Sequence, residues 1–137
     1  MHSCEGLAAA LAVVVVYRRP WRDVRAAPLL EAALSDGDGP EGSLPRLGRL
    51  LVYDNSPTPS GRPETQRADC TYVHDAANGG TRAAYLRALQ VAKESGLSWL
   101  ILLDQDTTLS RGYLEELDRK LAQLSDAAIG LLFPRIV

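Results

Sequence analysis

Apolar residues of this chain are concentrated in short runs that alternate with longer segments of mixed polarity. Three runs are rich in leucine and valine: LAVVVVY (11–17), LGRLLVYDN (47–55) and LSWLILL (97–103). Strands that are covered on both faces, as in parallel sheets, have runs of this kind. CTYV (70–73) and AAIGLLF (127–133) are shorter strand candidates.

Between the runs, apolar residues recur with the period of an α-helix. The predicted helices span residues 22–34, 81–95 and 111–124. Pro28 is expected to weaken or split the first helix. Gly96 has the position of a helix C-terminal glycine, and Ser110 can cap the third helix. The third helix carries one apolar stripe, formed by Leu114, Leu117, Leu121 and Leu124. Strands that alternate with helices predict an α/β domain with a largely parallel sheet.

Length and charge narrow the class of protein. The 137 residues suffice for a single domain, and 46% of them are hydrophobic, as in globular proteins. The net charge of −2 disfavours a nucleic-acid-binding role. The apolar run 7–17 is too short to span a bilayer, and the charges around it have the wrong polarity for a secretory signal. We therefore expect a cytoplasmic protein without a transmembrane segment, in which Cys4 and Cys70 are free thiols.

Polar residues follow three of the predicted strands at the point where each strand ends. Tyr17 ends the first strand, Asp54 and Asn55 end the second, and residues 104–106 (Asp-Gln-Asp) follow the run 97–103. Parallel strands have their carboxyl ends at one edge of the sheet, and ligands bind beyond that edge. We therefore expect these residues to lie around one cleft.

Asp104 and Asp106 pose a problem of charge. Alternate residues of a strand share a face, so the two carboxylates would project together and repel each other if the strand geometry continues to Asp106. A positive charge should compensate them, and Mg²⁺ or Mn²⁺ bound together with a diphosphate is the natural candidate. Arg18 and Arg19 are interpreted as solvated charges, with contact to phosphate as the alternative.

Other interpretations of the same segment stay open. DQDTTL also matches the DxDxT pattern of haloacid dehalogenase-type phosphatases, with Asp104 as nucleophile and Asp106 as acid/base. That family needs a later lysine, and Lys120 lies on a predicted helix. An EF-hand loop would place Glu115 at its last position, but it requires glycine at the position of Leu109 and a preceding helix. A solvated pair of carboxylates after a strand is the plainest interpretation of the segment. A non-catalytic interaction module is the remaining alternative for the function.

Four segments in order, VVVVY, VYDNS, NGGTRAAYLRAL and WLILLDQDT, resemble family 2 glycosyltransferases, in particular their rhamnosyltransferase-like branch. The resemblance extends from Val13 to about Val137. It implies the glycosyltransferase-A fold, a Rossmann-like α/β/α sandwich, and inverting transfer of a sugar from a nucleotide donor with a divalent metal. It also implies a donor-binding half, with the acceptor half and the catalytic base expected beyond residue 137. The implied process is polysaccharide or lipopolysaccharide synthesis at the inner face of the membrane.

The resemblance assigns a role to each matching residue that precedes the run 97–103. Tyr17 would border the nucleoside. Asp54, beside Asn55, would accept a hydrogen bond from the ring N–H of a pyrimidine. Asn78 and Gly80 match a motif that lets the backbone before a helix come close to the donor.

The implied metal ligands are Asp104, near the ribose or the metal, and Asp106, which would reach the metal and the diphosphate. The implied partners are Mn²⁺ or Mg²⁺, a dTDP- or UDP-sugar, and a glycan or lipid-linked acceptor, with no nucleic acid. The chain departs from the family pattern at Arg18-Arg19, where many relatives have Asn-Pro, and at Leu86, where many have Asn.

Overall fold

The structure is a computed structural model that describes residues 6–34, 44–124 and 130–132, the last three by their backbone. All of its strands pair in parallel in one sheet. The strands are β1 (Ala10–Val16), β2 (Arg49–Asp54), β3 (Cys70–His74), β4 (Trp99–Asp104) and β5 (Gly130–Leu132). Each lies within a run from which the sequence predicts a strand or extends it by one residue, so the predicted parallel sheet is confirmed.

The strand order β3-β2-β1-β4-β5 places β1 at the centre of the sheet. Val16 of β1 lies opposite Asp54 of β2, and Val15 lies opposite Asp104 of β4. Strands β2 and β3 lie on one side of β1, and strands β4 and β5 lie on the other. The order therefore reverses between β1 and β4, and such a switch point leaves a crevice beyond the strand ends where ligands of doubly wound sheets bind.

Helices cover both faces of the sheet. They are α1 (Ala27–Leu34), α2 (Gly80–Glu94) and α3 (Arg111–Gln123). Val14 of β1 packs on the face covered by α1 and α3, whereas Val13 packs on the other face with Ala88 of α2. Successive residues of a strand point to opposite faces, so a strand buried on both sides needs an apolar residue at every position. That requirement explains the unbroken run of valines, and the predicted α/β class is confirmed.

The first helical segment begins later than the sequence predicts. A short 3₁₀ turn at Trp21–Asp23 precedes α1, in which Pro28 is the second residue. Proline is tolerated in the first turn because its missing N–H would have no partner within the helix. Pro28 therefore lies at the start of a helix and does not split one.

Both predicted helix-end signals are confirmed. Gly96, after α2, has φ 70°, a left-handed conformation that glycine adopts without strain. The Ser110 hydroxyl oxygen accepts a hydrogen bond from the N–H of Tyr113 at 3.1 Å, as an N-cap does. The predicted stripe of α3 was wrong at Leu124, which lies after the last helical residue and is 52% exposed.

Cys70 is a free, partly buried thiol, and Cys4 lies outside the described residues. Burial raises the pKa of Cys70 to about 11, and the negative charges of Glu31 and Asp69 act in the same direction. The thiol therefore stays protonated at neutral pH, which makes it a poor nucleophile.

Among the described helices, none is long and apolar enough to cross a membrane.

Candidate functional site

The segments that follow β1 and β4 are joined by hydrogen bonds at the switch point. The Tyr17 N–H donates to Gln105 Oε1 at 2.8 Å, and Arg19 Nη1 donates to the Gln105 carbonyl oxygen at 3.3 Å. The Tyr17 side chain is 43% exposed. The structure thus brings together Tyr17 and residues 104–106 at the edge where the sequence predicts a site.

Asp104 organises the turn that leaves β4. Its Oδ1 accepts hydrogen bonds from the Asp106 N–H at 2.9 Å and from the Thr107 hydroxyl at 3.0 Å. This Asx-type turn is a local reason for a short polar side chain at the strand end. Asp104 itself is exposed, so it remains accessible to a ligand.

Arg19 supplies the positive charge beside the two aspartates. Its Nη1 lies 2.6 Å from Asp106 Oδ1, and the two side chains are 33% and 72% exposed. Arg19 is therefore partly exposed and paired with Asp106, and its alternative contact with phosphate stays a prediction. Water screens an exposed pair of this kind, so it contributes only about 0–1 kcal/mol to stability.

The donors at this edge fit a divalent cation only together with a ligand. Across residues 6–34, 44–124 and 130–132, no group of three or more His, Cys, Asp or Glu side chains could hold a metal ion. Asp104 and Asp106 provide two carboxylates, and Arg19 is bound to one oxygen of Asp106. Mg²⁺ commonly takes one or two protein carboxylates and completes its shell with water and substrate phosphates. Strand β4 ends at Asp104 and a turn carries Asp106, so the strand geometry that was expected to align the two carboxylates does not reach Asp106. A metal bound together with a diphosphate stays a prediction.

Asp54 lies at the same edge but is completely buried. Its Oδ1 accepts from the Ser56 N–H at 3.0 Å, and its Oδ2 accepts from the Ser60 N–H at 2.9 Å and the Tyr72 hydroxyl at 2.6 Å. Burial acts to raise the pKa of Asp54, but these hydrogen bonds outweigh it and lower the pKa below its ordinary value. The carboxylate is therefore ionised and anchors the loop after β2.

The anchored loop in turn contacts the end of β1. Ser56 Oγ accepts from the Arg18 N–H at 2.7 Å and also hydrogen-bonds Ser60 Oγ. Asn55 is buried, its N–H donates to the Val16 carbonyl oxygen at 2.9 Å, and its Oδ1 has no hydrogen-bond partner among the described residues. Since Asp54 has no exposed surface, its predicted contact with a nucleobase requires this loop to move and stays a prediction.

Asp75, which the sequence analysis did not single out, orders the segment before α2. Its Oδ1 accepts from the Ala77 N–H at 3.1 Å, and its Oδ2 accepts from the Gly79 N–H at 3.0 Å and the Tyr53 hydroxyl at 2.7 Å. Burial and the bond to Asp75 raise the pKa of Tyr53 to about 12. An Asp followed by small residues and glycine is typical of such turns, and this signal was present in HDAANGG.

Asn78 and Gly80, the predicted backbone-approach residues, both have positive φ, 52° and 75°. Gly79, which lies between them, has less space for a side chain than Gly80, because a Cβ there would lie 2.7 Å from Ala83 Cβ and 2.9 Å from Asp75 Oδ2. The turn therefore has a structural need for glycine at the middle position. Its contact with a donor stays a prediction.

Tyr85 of α2 is a second residue that the sequence analysis did not single out. Burial raises its pKa, and the negative charge of Asp104 raises it further. This face of α2 is therefore within electrostatic reach of the switch-point carboxylate. A tyrosine in the second turn of an otherwise alanine-rich helix is the only sequence signal for it.

No protein-family model matches this chain, and no curated protein or solved structure matches it. The resemblance to family 2 glycosyltransferases stays a prediction. The candidate site must be judged from its own residues and their geometry.

The positions of the lysines bear on the phosphatase alternative. The chain contains two, Lys93 and Lys120. Lys120 lies 3.5 Å from Glu116 near the end of α3, and the neighbouring Asp118 accepts from the Leu7 N–H, which precedes β1. This end of α3 is thus at the amino edge of the sheet, away from Asp104. Lys93 is in the last turn of α2, which also leads to the amino end of a strand. Neither lysine is placed to assist Asp104 as a nucleophile.

The EF-hand alternative is wrong. Strand β4, which ends at Asp104, lies where an EF-hand has its first helix, and Leu109 lies where the loop requires glycine.

Proposed function

We propose that this chain binds a nucleoside diphosphate sugar at the switch point between β1 and β4, as the donor-binding part of an inverting glycosyltransferase of the glycosyltransferase-A type. The observation that carries the proposal is the position of Tyr17 and residues 104–106 beyond the carboxyl ends of the two strands where the order reverses. A crevice at that point is the common ligand site of doubly wound sheets.

The side chains at this edge suit the parts of such a donor. The Tyr17 ring is partly exposed, with the Arg18 guanidinium 5.3 Å from its centroid, and it would contact the nucleoside. The guanidinium groups of Arg18 and Arg19 match the geometry of phosphate oxygens. Asp104 and Asp106 suit Mn²⁺ or Mg²⁺, which when bound would neutralise charge on the departing nucleoside diphosphate.

The resemblance suggests which molecules to test. The donors are dTDP- and UDP-sugars, with dTDP-rhamnose first. The acceptor is a glycan or a lipid-linked sugar in polysaccharide or lipopolysaccharide synthesis at the cytoplasmic face of a membrane. These identities belong to the proposal and do not follow from the geometry.

Calorimetric titration of UDP and dTDP, with and without Mn²⁺, tests the proposal. We expect binding that depends on Mn²⁺ and that Asp106→Asn weakens by about ten- to a hundredfold, because a charge-assisted contact contributes about 1.5–3 kcal/mol. Glu94→Gln at the end of α2 makes the same change in charge at the opposite edge of the sheet and should leave binding unchanged.

The same variant separates a ligand role from a structural role. Asp106→Asn removes only an exposed ion pair, so its unfolding free energy should change by no more than about 1 kcal/mol. Absence of nucleotide binding by the wild type would contradict the proposal. Hydrolysis of p-nitrophenyl phosphate that requires Asp104 would instead support the phosphatase alternative.

A further inference from the structure

We propose that Arg19 exchanges partners at the switch point: it pairs with Asp106 when no donor is bound, and it contacts the diphosphate when a divalent cation binds the aspartates. This inference rests on the proposed function. It assigns a role to a residue at which the chain departs from the glycosyltransferase pattern, and it predicts behaviour that a fixed ion pair would not have.

Hydrogen bonds hold the backbone just before Arg19, so the exchange needs only its side chain to move. The preceding Arg18 has φ 54° and donates its N–H to Ser56 Oγ at 2.7 Å. Tyr17 is joined to Gln105 by a hydrogen bond of 2.8 Å. The following Pro20 has φ −67°, as its ring requires. Arg19 thus extends from a hydrogen-bonded turn toward the carboxyl end of β4, and its side chain is 33% exposed.

The charges at the edge favour an exchange. Without a cation, Arg19 compensates the negative charge of Asp106. With a divalent cation on the aspartates, the guanidinium and the cation would repel each other. A diphosphate restores the balance, because its negative charge matches that of the cation and offers Arg19 a new partner. The planar fork of a guanidinium can bond two phosphate oxygens at once.

The exposure of the ion pair makes the exchange feasible. Asp106 is 72% exposed, so water screens its attraction to Arg19 and can solvate either group during the change. A buried pair would resist separation, because each charge would lose its partner away from water. The contact between Arg19 and Asp106 is therefore strong enough to orient the side chain and weak enough to be replaced.

Binding of Mn²⁺ alone tests the first half of the exchange. If Arg19 competes with the cation for Asp106, Arg19→Gln should tighten Mn²⁺ binding without nucleotide, by up to about fivefold for an exposed pair. Free Mn²⁺ is measured by electron paramagnetic resonance. The control is Arg25→Gln, which makes the same change in charge at an exposed position before α1 and should tighten Mn²⁺ binding less.

Binding of UDP in the presence of Mn²⁺ tests the second half. Arg19→Gln should weaken UDP binding by about tenfold, because a charge-assisted contact to phosphate is lost, and it should leave the affinity for uridine, which has no phosphate, unchanged. The opposite signs of the two effects are the signature of an exchange.

The outcomes separate this inference from the proposed function. Suppose that the wild type binds UDP in the presence of Mn²⁺. If Arg19→Gln then changes neither the Mn²⁺ affinity nor the UDP affinity, or if it weakens the binding of Mn²⁺ without nucleotide, the exchange is contradicted and the proposed function stands. If the wild type binds no UDP at any Mn²⁺ concentration, the proposed function and the exchange both fail.

Discussion

Replacing Asp54 by Asn tests whether the buried carboxylate after β2 anchors its loop. The carboxylate has no exposed surface and accepts hydrogen bonds from Ser56, Ser60 and Tyr72. Asn retains one acceptor oxygen and turns an NH₂ group toward at least one of these donors. A hydrogen bond to a charged group contributes about 1.5–3 kcal/mol, and a buried donor without a partner costs about 1–3 kcal/mol. We therefore expect the variant to lose on the order of 3 kcal/mol of unfolding free energy.

Tyr72→Phe gives a smaller perturbation of the same group. It removes one of the three hydrogen bonds and leaves the carboxylate with two backbone donors, so we expect a loss of about 1–2 kcal/mol. The two substitutions should not be additive, because they act on the same contact. Asp54→Asn should therefore cost about 1 kcal/mol less in the Tyr72→Phe background than in the wild type.

Urea unfolding followed by circular dichroism measures these losses. The dependence of the unfolding free energy on urea concentration should be similar for all variants. Asp23→Asn, which makes the same chemical change at an exposed position of the 3₁₀ turn, should stay within about 0.5 kcal/mol of the wild type. A loss below about 0.5 kcal/mol for Asp54→Asn would refute the anchoring role. If that variant also lost UDP binding, the predicted contact of Asp54 with a nucleobase would be favoured instead.

Three further measurements test the electrostatics and the local geometry. Folding lowers the pKa of Asp54, so its ionised carboxylate stabilises the fold fully at neutral pH, and this contribution is lost as the pH falls below the ordinary pKa of 3.8. Asp54→Asn should therefore lose less stability on acidification than the wild type. Gly79→Ala should lose about 1–3 kcal/mol, because its Cβ would meet Ala83 Cβ at 2.7 Å. Gly112→Ala in α3, where a Cβ has open space, should gain about 0.5–1 kcal/mol, and the reverse order would contradict the steric argument. Ser110→Ala removes the N-cap hydrogen bond of α3 and should lower the unfolding free energy, measured by thermal melts, by about 1 kcal/mol. An unchanged melting temperature would show that α3 does not need this cap.

Elements of this protein could be predicted from its sequence wherever the signal is local. A strand buried on both faces needs consecutive apolar residues, so β1 and β4 were visible as runs. The Ser110 cap and the Gly96 terminus depend on the chemistry of one residue and its near neighbours, and both were found. The start of α1 was missed because a 3₁₀ turn and an α-helix have similar apolar spacing over so few residues.

The sequence by itself determined the class of the fold and the residues that end its strands, because hydrophobic periodicity and capping act within a few residues. Only the tertiary structure decided the strand order, and with it that Tyr17 and residues 104–106 meet at the switch point. It also decided that Asp54 is buried under its own loop and that Arg19 pairs with Asp106 across 87 positions of the chain. Partners so distant in sequence are brought together by the packing of whole strands and helices, and no local pattern specifies which carboxylate the packing covers and which it leaves in water.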